Sequence, residues 1–208
     1  MSPNERDQPI GLVYVVDDDE AVRDSLQFLL EPPYQVTTFD SAEAFLERYD
    51  PKAIACLILD VRMPGMSGLQ LQEELLARGS HLPVVFITGH GDVPMAVATM
   101  KKGAVDFIEK PFEQQALKAL VDRMLERARE EAARIERQRI NSSLLAKLTP
   151  REQQVLERIV AGRLNKQIAD DLGISIKTVE AHRANIMDKL NAGTVADLMR
   201  VALGTGGA

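Results

Sequence analysis

Five short apolar runs, separated by helix-length amphipathic segments, constrain the first two thirds of this chain more than any other feature. They are LVYVV (12–16), YQVTTF (34–39), ACLILD (55–60), PVVFIT (83–88) and AVDFIEK (104–110). Runs so nearly free of polar residues suit strands buried on both faces. Between them, EAVRDSLQFLL places Val22, Leu26, Leu29 and Leu30 on one helical face. DSAEAFLERY opens with Asp40 and carries Glu43 three residues later, which reads as a capping pair. GLQLQEELLARG and VPMAVATMKKG come next, each closed by a glycine, as helix ends often are. Five such repeats predict an α/β domain, a doubly wound five-stranded parallel sheet with helices on both faces.

From Glu113 the pattern turns helical and runs beyond one domain's needs. ALKALVDRMLERAREEAARIERQRI has no Gly or Pro. Leu117, Leu120, Val121 and Met124 fit docking on the sheet, whereas later only Ala128, Ala132 and Ile135 interrupt the charges. Two readings stand for this stretch: a solvated charged helix, or a helical linker that pairs between two protomers. Its seam is poor in Leu and Ile. LTPRE then opens a new domain, with Thr149 as cap, Pro150 at the first helical position and Glu152 completing a capping box. From there the chain reads as four short helices, about 150–161, 165–172, 175–190 and 194–203. The predicted organisation is a domain over 11–126, a helical linker over 127–141 and an all-α domain over 142–207.

Composition narrows the classes. No apolar run approaches the ~20 residues that span a bilayer, and MSPNERDQPI lacks the apolar stretch of a secretory signal. The single cysteine, Cys56, leaves no internal disulfide framework or cysteine-rich zinc site, and reads as inert core. The expected location is cytoplasmic, with no membrane partner. Residues 1–140 carry 16 Lys and Arg against 24 Asp and Glu, and residues 141–208 carry 9 against 7. An acidic front and a mildly basic back suit two domains with different partners.

The stretch GLVYVVDDDE poses the chemical question. A buried strand breaks off into four consecutive acids, Asp17 to Glu20, which repel one another. In open α/β sheets ligands sit beyond the carboxyl ends of the strands, where strand order switches. Asp17 and Asp18 end the first strand there, Asp60 the third, Thr88 the fourth and Lys110 the fifth. Three carboxylates, a hydroxyl and an ammonium suit a hard divalent cation with a phosphoryl group, and Mg²⁺ prefers a few carboxylates while keeping waters. Asp19 and Glu20 read as caps of the first helix. Gly65 and Gly68 in MPGMSG read as tolerating unusual dihedrals.

VVDDDEAVRDSL, LILDVRMPGMSGLQL and VVFITGHGDVPMAVATMKKGAVDFIEKPF together resemble a response-regulator receiver domain over residues 11–126. The resemblance implies that Asp60 accepts a phosphoryl group. It implies that Asp17, Asp18, Asp60 and the backbone carbonyl of Arg62 hold Mg²⁺. Thr88 would close on the phosphoryl oxygens, Phe107 would be the switching aromatic, Lys110 would pair with the phosphate, and Lys110–Pro111 would be cis. The chain departs from the family at LLEPPYQV, where Pro32–Pro33 replaces a glycine-containing turn.

NKQIADDLGISIKTVEAHRANIMDKL reads as helix, tight turn, helix, capped by Asn165, ended by Gly173 and restarted at Ser175. In the second helix Val179, Ile186 and Leu190 share a core stripe. Lys177, Ala181, Ala184 and Asp188 point the opposite way, with Thr178, Glu180 and Asn185 on the shoulders. Small residues among polar ones suit a helix lying in a major groove. Lys177 and Arg183 carry donors for phosphate or guanine, His182 and Lys189 fit backbone contacts, and Glu180 fits an acceptor for cytosine. LTPREQQVL with this segment resembles the LuxR-type helix-turn-helix of the NarL/FixJ regulators, and HGDVPMAV points to the FixJ-like branch. The resemblance implies a recognition helix over 175–190 and a dimerising helix 194–203 with Val195, Leu198 and Val201.

The combined reading is a two-component response regulator rather than a turnover enzyme. Its expected partners are a sensor histidine kinase, double-stranded promoter DNA, RNA polymerase and, on phosphorylation, a second copy through helix 92–102 and strand 104–110. Two alternatives remain: a haloacid-dehalogenase-like phosphatase built on Asp17 and Asp19, and a constitutive DNA-binding regulator with a non-functional receiver. The phosphatase reading lacks the acidic pair it needs after Lys110.

Overall fold

The computed structural model describes residues 10–89 and 106–204, with the side chains of Thr88 and Asp106 outside that description. The chain forms two compact units that divide between Ala132 and Ala133.

The first unit is a five-stranded parallel sheet in the order β2-β1-β3-β4-β5. Its elements are β1 (Leu12–Val16), α1 (Glu20–Leu30), β2 (Gln35–Phe39), α2 (Ala42–Arg48), β3 (Ala55–Asp60), α3 (Gly68–Ala77), β4 (Val84–Thr88), β5 (Asp106–Glu109) and the start of α4 (Gln114–Leu145). The expected helix 92–102, with Lys101 and Lys102, lies outside the described residues. Successive strand residues face opposite sides, and both sides are covered. Val13, Val15, Cys56, Ile58, Val85 and Ile87 pack beneath Leu26 and Leu30 of α1 and Leu117, Val121 and Met124 of α4. Tyr14, Val16, Leu57, Leu59 and Phe86 pack against Phe45 of α2 and Leu71 and Leu75 of α3. Cys56 is fully enclosed, and burial pushes its thiol pKa up to about 12.

Local chemistry corrects two sequence readings here. Ser41, not Asp40, caps α2 by accepting from the Ala44 amide; Asp40 only accepts from the Ser41 hydroxyl. Glu43 is no capping partner, because its carboxylate accepts from the Met66 amide on the β3–α3 loop at 3.1 Å. Gly65 does have a positive φ of 72°, but Gly68 is needed for a different reason. A Cβ there would stand 2.1 Å from the Asp60 carbonyl oxygen. Pro32–Pro33 and Lys110–Pro111 are both cis.

Helix α4 runs without a break through the expected linker, and Ala133 to Ile140 are all exposed along it.

The second unit comprises α5 (Pro150–Val160), α6 (Asn165–Leu172), α7 (Ile176–Lys189) and α8 (Val195–Leu203) around Leu148, Val155, Ile159, Ile168, Val179, Ile186 and Leu198. Thr149 and Glu152 form the capping box of α5. Asn165 does not cap α6; it is the first helical residue, and Gln167 accepts from the Leu164 amide instead. Gly173 ends α6 at φ +63°, a left-handed conformation that glycine reaches without strain, and Ser175 caps α7. Leu198 of α8 is 1% exposed and Val201 packs on the same core, so of the three residues expected to dimerise only Val195 points outward.

Candidate functional site: an acidic pocket and an exposed helix face

Parallel pairing aligns Val16 with Leu59 and Asp60 with Ile87, which carries the strand ends to one edge of the sheet. Strands β1 and β3 are neighbours there, with β2 on the far side of β1, so the order reverses between them. The Asp17 side chain is almost enclosed, and its Oδ1 accepts from the Asp19 amide at 2.9 Å. Asp60 Oδ2 accepts from the Arg62 amide at 2.7 Å. The Lys110 ammonium joins the two acids, 3.2 Å from Asp17 Oδ2 and 3.5 Å from Asp60 Oδ1.

One ammonium does not fully compensate this pair. The Asp60 pKa is raised, first by burial and then by the neighbouring charge of Asp17, although the Arg62 amide and Lys110 pull it down. Asp18 does not join the pair, and its side chain is exposed. Among the described residues no group of three carboxylates stands close enough to form a metal cage. Lys110 bridges Asp17 and Asp60. The remaining pair still suits Mg²⁺, which needs only one or two carboxylates and retains several waters. Burial and then the charge of Asp17, which together raise the Asp60 pKa, are penalties that a divalent cation would relieve.

Three contributors carry no sign of a role at this site in the sequence. Arg23 of α1 donates from Nη1 to the Asp17 carbonyl at 2.7 Å and to the Asp18 carbonyl at 3.0 Å. Glu43 holds the loop after β3. Asp19, read as a cap, does accept from the Ala21 amide, and its own amide orients Asp17. Phe107 is half-buried against the α2–α3 side of the sheet. Thr88 ends β4, with its side chain outside the described residues.

In the second unit, α7 presents Lys177, Thr178, Glu180, Ala181, Ala184, Asn185 and Asp188 to solvent, while His182 and Arg183 are half-buried. Val179 and Ile186 face inward. The Thr178 hydroxyl is 2.7 Å from that of Ser175, within the helix cap. Lys189 does not reach outward: its ammonium bonds Glu152 Oε2 at 2.7 Å. A nearly enclosed carboxylate holds that ammonium, which removes Lys189 as a free backbone contact.

This architecture has relatives. Residues 13–122 match the response regulator receiver domain family, and residues 146–202 match the bacterial regulatory proteins of the luxR family. The transcriptional regulatory protein FixJ of Azorhizobium caulinodans is 50% identical over 92% of this chain and 91% of its own length. FixJ of Bradyrhizobium diazoefficiens is 46% identical over 94% and 96%. Among solved structures, the response regulator StyR is similar with a TM-score of 0.82 and 48% identity, over 92% of this chain and 98% of that one.

The chain belongs to the two-component response regulators that join a receiver to a luxR-type DNA-binding domain, in their FixJ-like branch, and it regulates transcription. A receiver implies a sensor kinase as partner, and the luxR-type domain implies DNA binding. Receiver domains typically bind Mg²⁺ for phosphorylation. The phosphatase alternative falls with this family membership. No helix among the described residues is long and apolar enough to cross a membrane.

Proposed function

We propose that Asp60 is the phosphoacceptor and that its modification by a histidine kinase gates promoter binding by α7. The carrying observation is the Asp17–Lys110–Asp60 cluster at the point where strand order reverses. An Asp60 carboxylate oxygen attacks the phosphorus of a phosphohistidine. The new P–O bond forms an acyl phosphate as the P–N bond breaks and the imidazole leaves. Lys110 keeps a positive charge beside the incoming phosphoryl oxygens, and the Arg62 amide orients the nucleophile. Asp17, Asp18 and Asp60 with the carbonyl of Arg62 would hold Mg²⁺, which would supply further charge neutralisation there.

Thr88 and Phe107 form the switch that responds to phosphorylation, with homodimerisation through the 92–102 and 104–110 segments as its output. The dimer reads two half-sites of double-stranded promoter DNA and acts on RNA polymerase in the cytoplasm. Lys177, Thr178, Glu180, Ala181, Ala184 and Asn185 face the groove, flanked by His182 and Arg183. Their exposure along one side of α7 supports this reading.

The test is labelling with a small-molecule phosphodonor and Mg²⁺. The wild-type chain takes up an acid-labile label and Asp60→Asn takes up none. Equal labelling of the variant would refute the assignment.

A further inference from the structure

Asp18 is the least anchored of the acids read as metal ligands. Asp17 is fixed through both carboxylate oxygens, by the Asp19 amide and by Lys110. Asp60 is likewise fixed by the Arg62 amide and Lys110. The Asp18 side chain is exposed, and no side-chain bond among the described residues orients it.

What is fixed at Asp18 is its backbone. The Asp17 carbonyl belongs to the peptide plane before the Asp18 Cα, and the Asp18 carbonyl to the plane after it. Both accept from the same Arg23 nitrogen, at 2.7 and 3.0 Å. Holding both planes fixes φ and ψ of Asp18, the two soft dihedrals of the residue. Those angles set the direction of its Cα–Cβ bond, and hence where its carboxylate is presented.

The placement of Arg23 also calls for an explanation. It sits at the end of the first turn of α1, near the positive end of the helix dipole, where a cation is disfavoured. It is half-buried, so the guanidinium has given up part of its hydration. The acids of the loop and the two carbonyls offset both costs. A lysine would not serve in its place, because its ammonium ends one bond short of Nη1 and lacks the planar fork.

We propose that Arg23 is a positioning residue for the divalent-cation site, acting through the Asp18 backbone to aim that carboxylate at the metal. This rests on the reading of the acidic pocket as a Mg²⁺ site. Its chemistry is geometric: Arg23 acts by bonding backbone carbonyls, and it removes the backbone part of the entropy that Asp18 would otherwise lose on ligating.

The experiment is calorimetric titration of Mg²⁺, with Mn²⁺ as a second probe, into the full chain and into Arg23→Gln, Arg23→Lys, Asp18→Asn and the double variant Arg23→Gln/Asp18→Asn. Arg23→Gln is expected to weaken Mg²⁺ about tenfold, and Arg23→Lys nearly as much. In the Asp18→Asn background Arg23→Gln is expected to add less than about twofold, because the carboxylate it aims is gone. Additive losses would overturn the proposal, as would an unchanged affinity in Arg23→Gln or full rescue by Arg23→Lys, which would make the role one of charge. If Arg23→Gln folds poorly, Arg23→Lys and amide exchange at residues 18–20 carry the test: exchange unchanged from wild type overturns it. A wild-type chain that binds no Mg²⁺ would instead remove the metal reading itself, and this inference with it.

Discussion

The Lys189 ammonium lies 2.7 Å from the Glu152 carboxylate, tying the last turn of the exposed helix α7 to the first turn of α5. Glu152 is only 3% exposed, and it also accepts from the Thr149 amide at 2.7 Å. One carboxylate therefore caps α5 and sets the seating of α7. Lys189→Met leaves that carboxylate enclosed with one donor fewer. The expected loss of stability is about 1.5–3 kcal/mol by denaturant unfolding. The Lys189 bond, then the Thr149 amide, hold the Glu152 pKa below its ordinary value. A depressed acid pKa stabilises above the unfolded value and loses that contribution as pH falls through the folded one. The wild type is therefore expected to lose stability in the acid range more steeply than Lys189→Met.

Asp60 has the opposite sign. Its pKa is raised, first by burial and then by Asp17. The folded state binds the proton more tightly, so the ionised group opposes folding above the folded pKa, and the penalty fades as pH falls through it. Asp60→Asn is expected to raise the melting temperature at neutral pH, with the gain shrinking towards acid. Thermal unfolding from neutral pH into the acid range, without divalent cations, checks this; a neutral-pH loss would contradict it.

Gly68→Ala is expected to destabilise the first unit by about 1–3 kcal/mol, since the added Cβ meets first the Asp60 backbone, which cannot yield as a side chain can. Gly11→Ala meets only the side-chain end of Leu125 and is expected to cost less. Comparing the two by urea unfolding separates backbone approach from ordinary crowding.

On the DNA side, Glu180→Ala is expected to relax preference at one position in each half-site by about 1–3 kcal/mol, read by binding-site selection. Lys177→Ala is expected to weaken all sequences alike and to reduce the salt slope by about one. Lys189→Met, its ammonium engaged with Glu152, is expected to leave that slope unchanged. A slope reduced by Lys189→Met would return that residue to the backbone contacts.

Much of the fold is legible in the sequence because it rests on periodicity and on charges at strand ends. Five apolar runs mark the sheet, and Asp17, Asp60 and Lys110 stand out as polar termini of buried strands. The core stripe of α7 comes from its 100° spacing. What escapes is long-range or sub-residue geometry. Glu43 looks like a cap partner because a capping box is local, but its bond spans 23 residues to Met66. The choice between Asp40 and Ser41 depends on a one-residue shift that the pattern does not resolve. Lys189 reads as a surface cation because its partner Glu152 lies 37 residues earlier in the sequence. Arg23 has no signal at all, since carbonyl oxygens carry no side-chain identity.

The ion pair between Asp17 and Lys110 closes a loop of chain 93 residues apart in sequence. Nearly all of the first unit's sheet lies between them, so this pair forms only once the first and last strands have found their places. Contacts of such separation are slow, because loop closure must precede any gain from them. A chain emerging from the ribosome thus carries Asp60 well before it carries the lysine that completes the pocket. On the proposed role of Asp60, competence to receive a phosphoryl group is then a late event in folding, one that reports the assembly of the whole sheet.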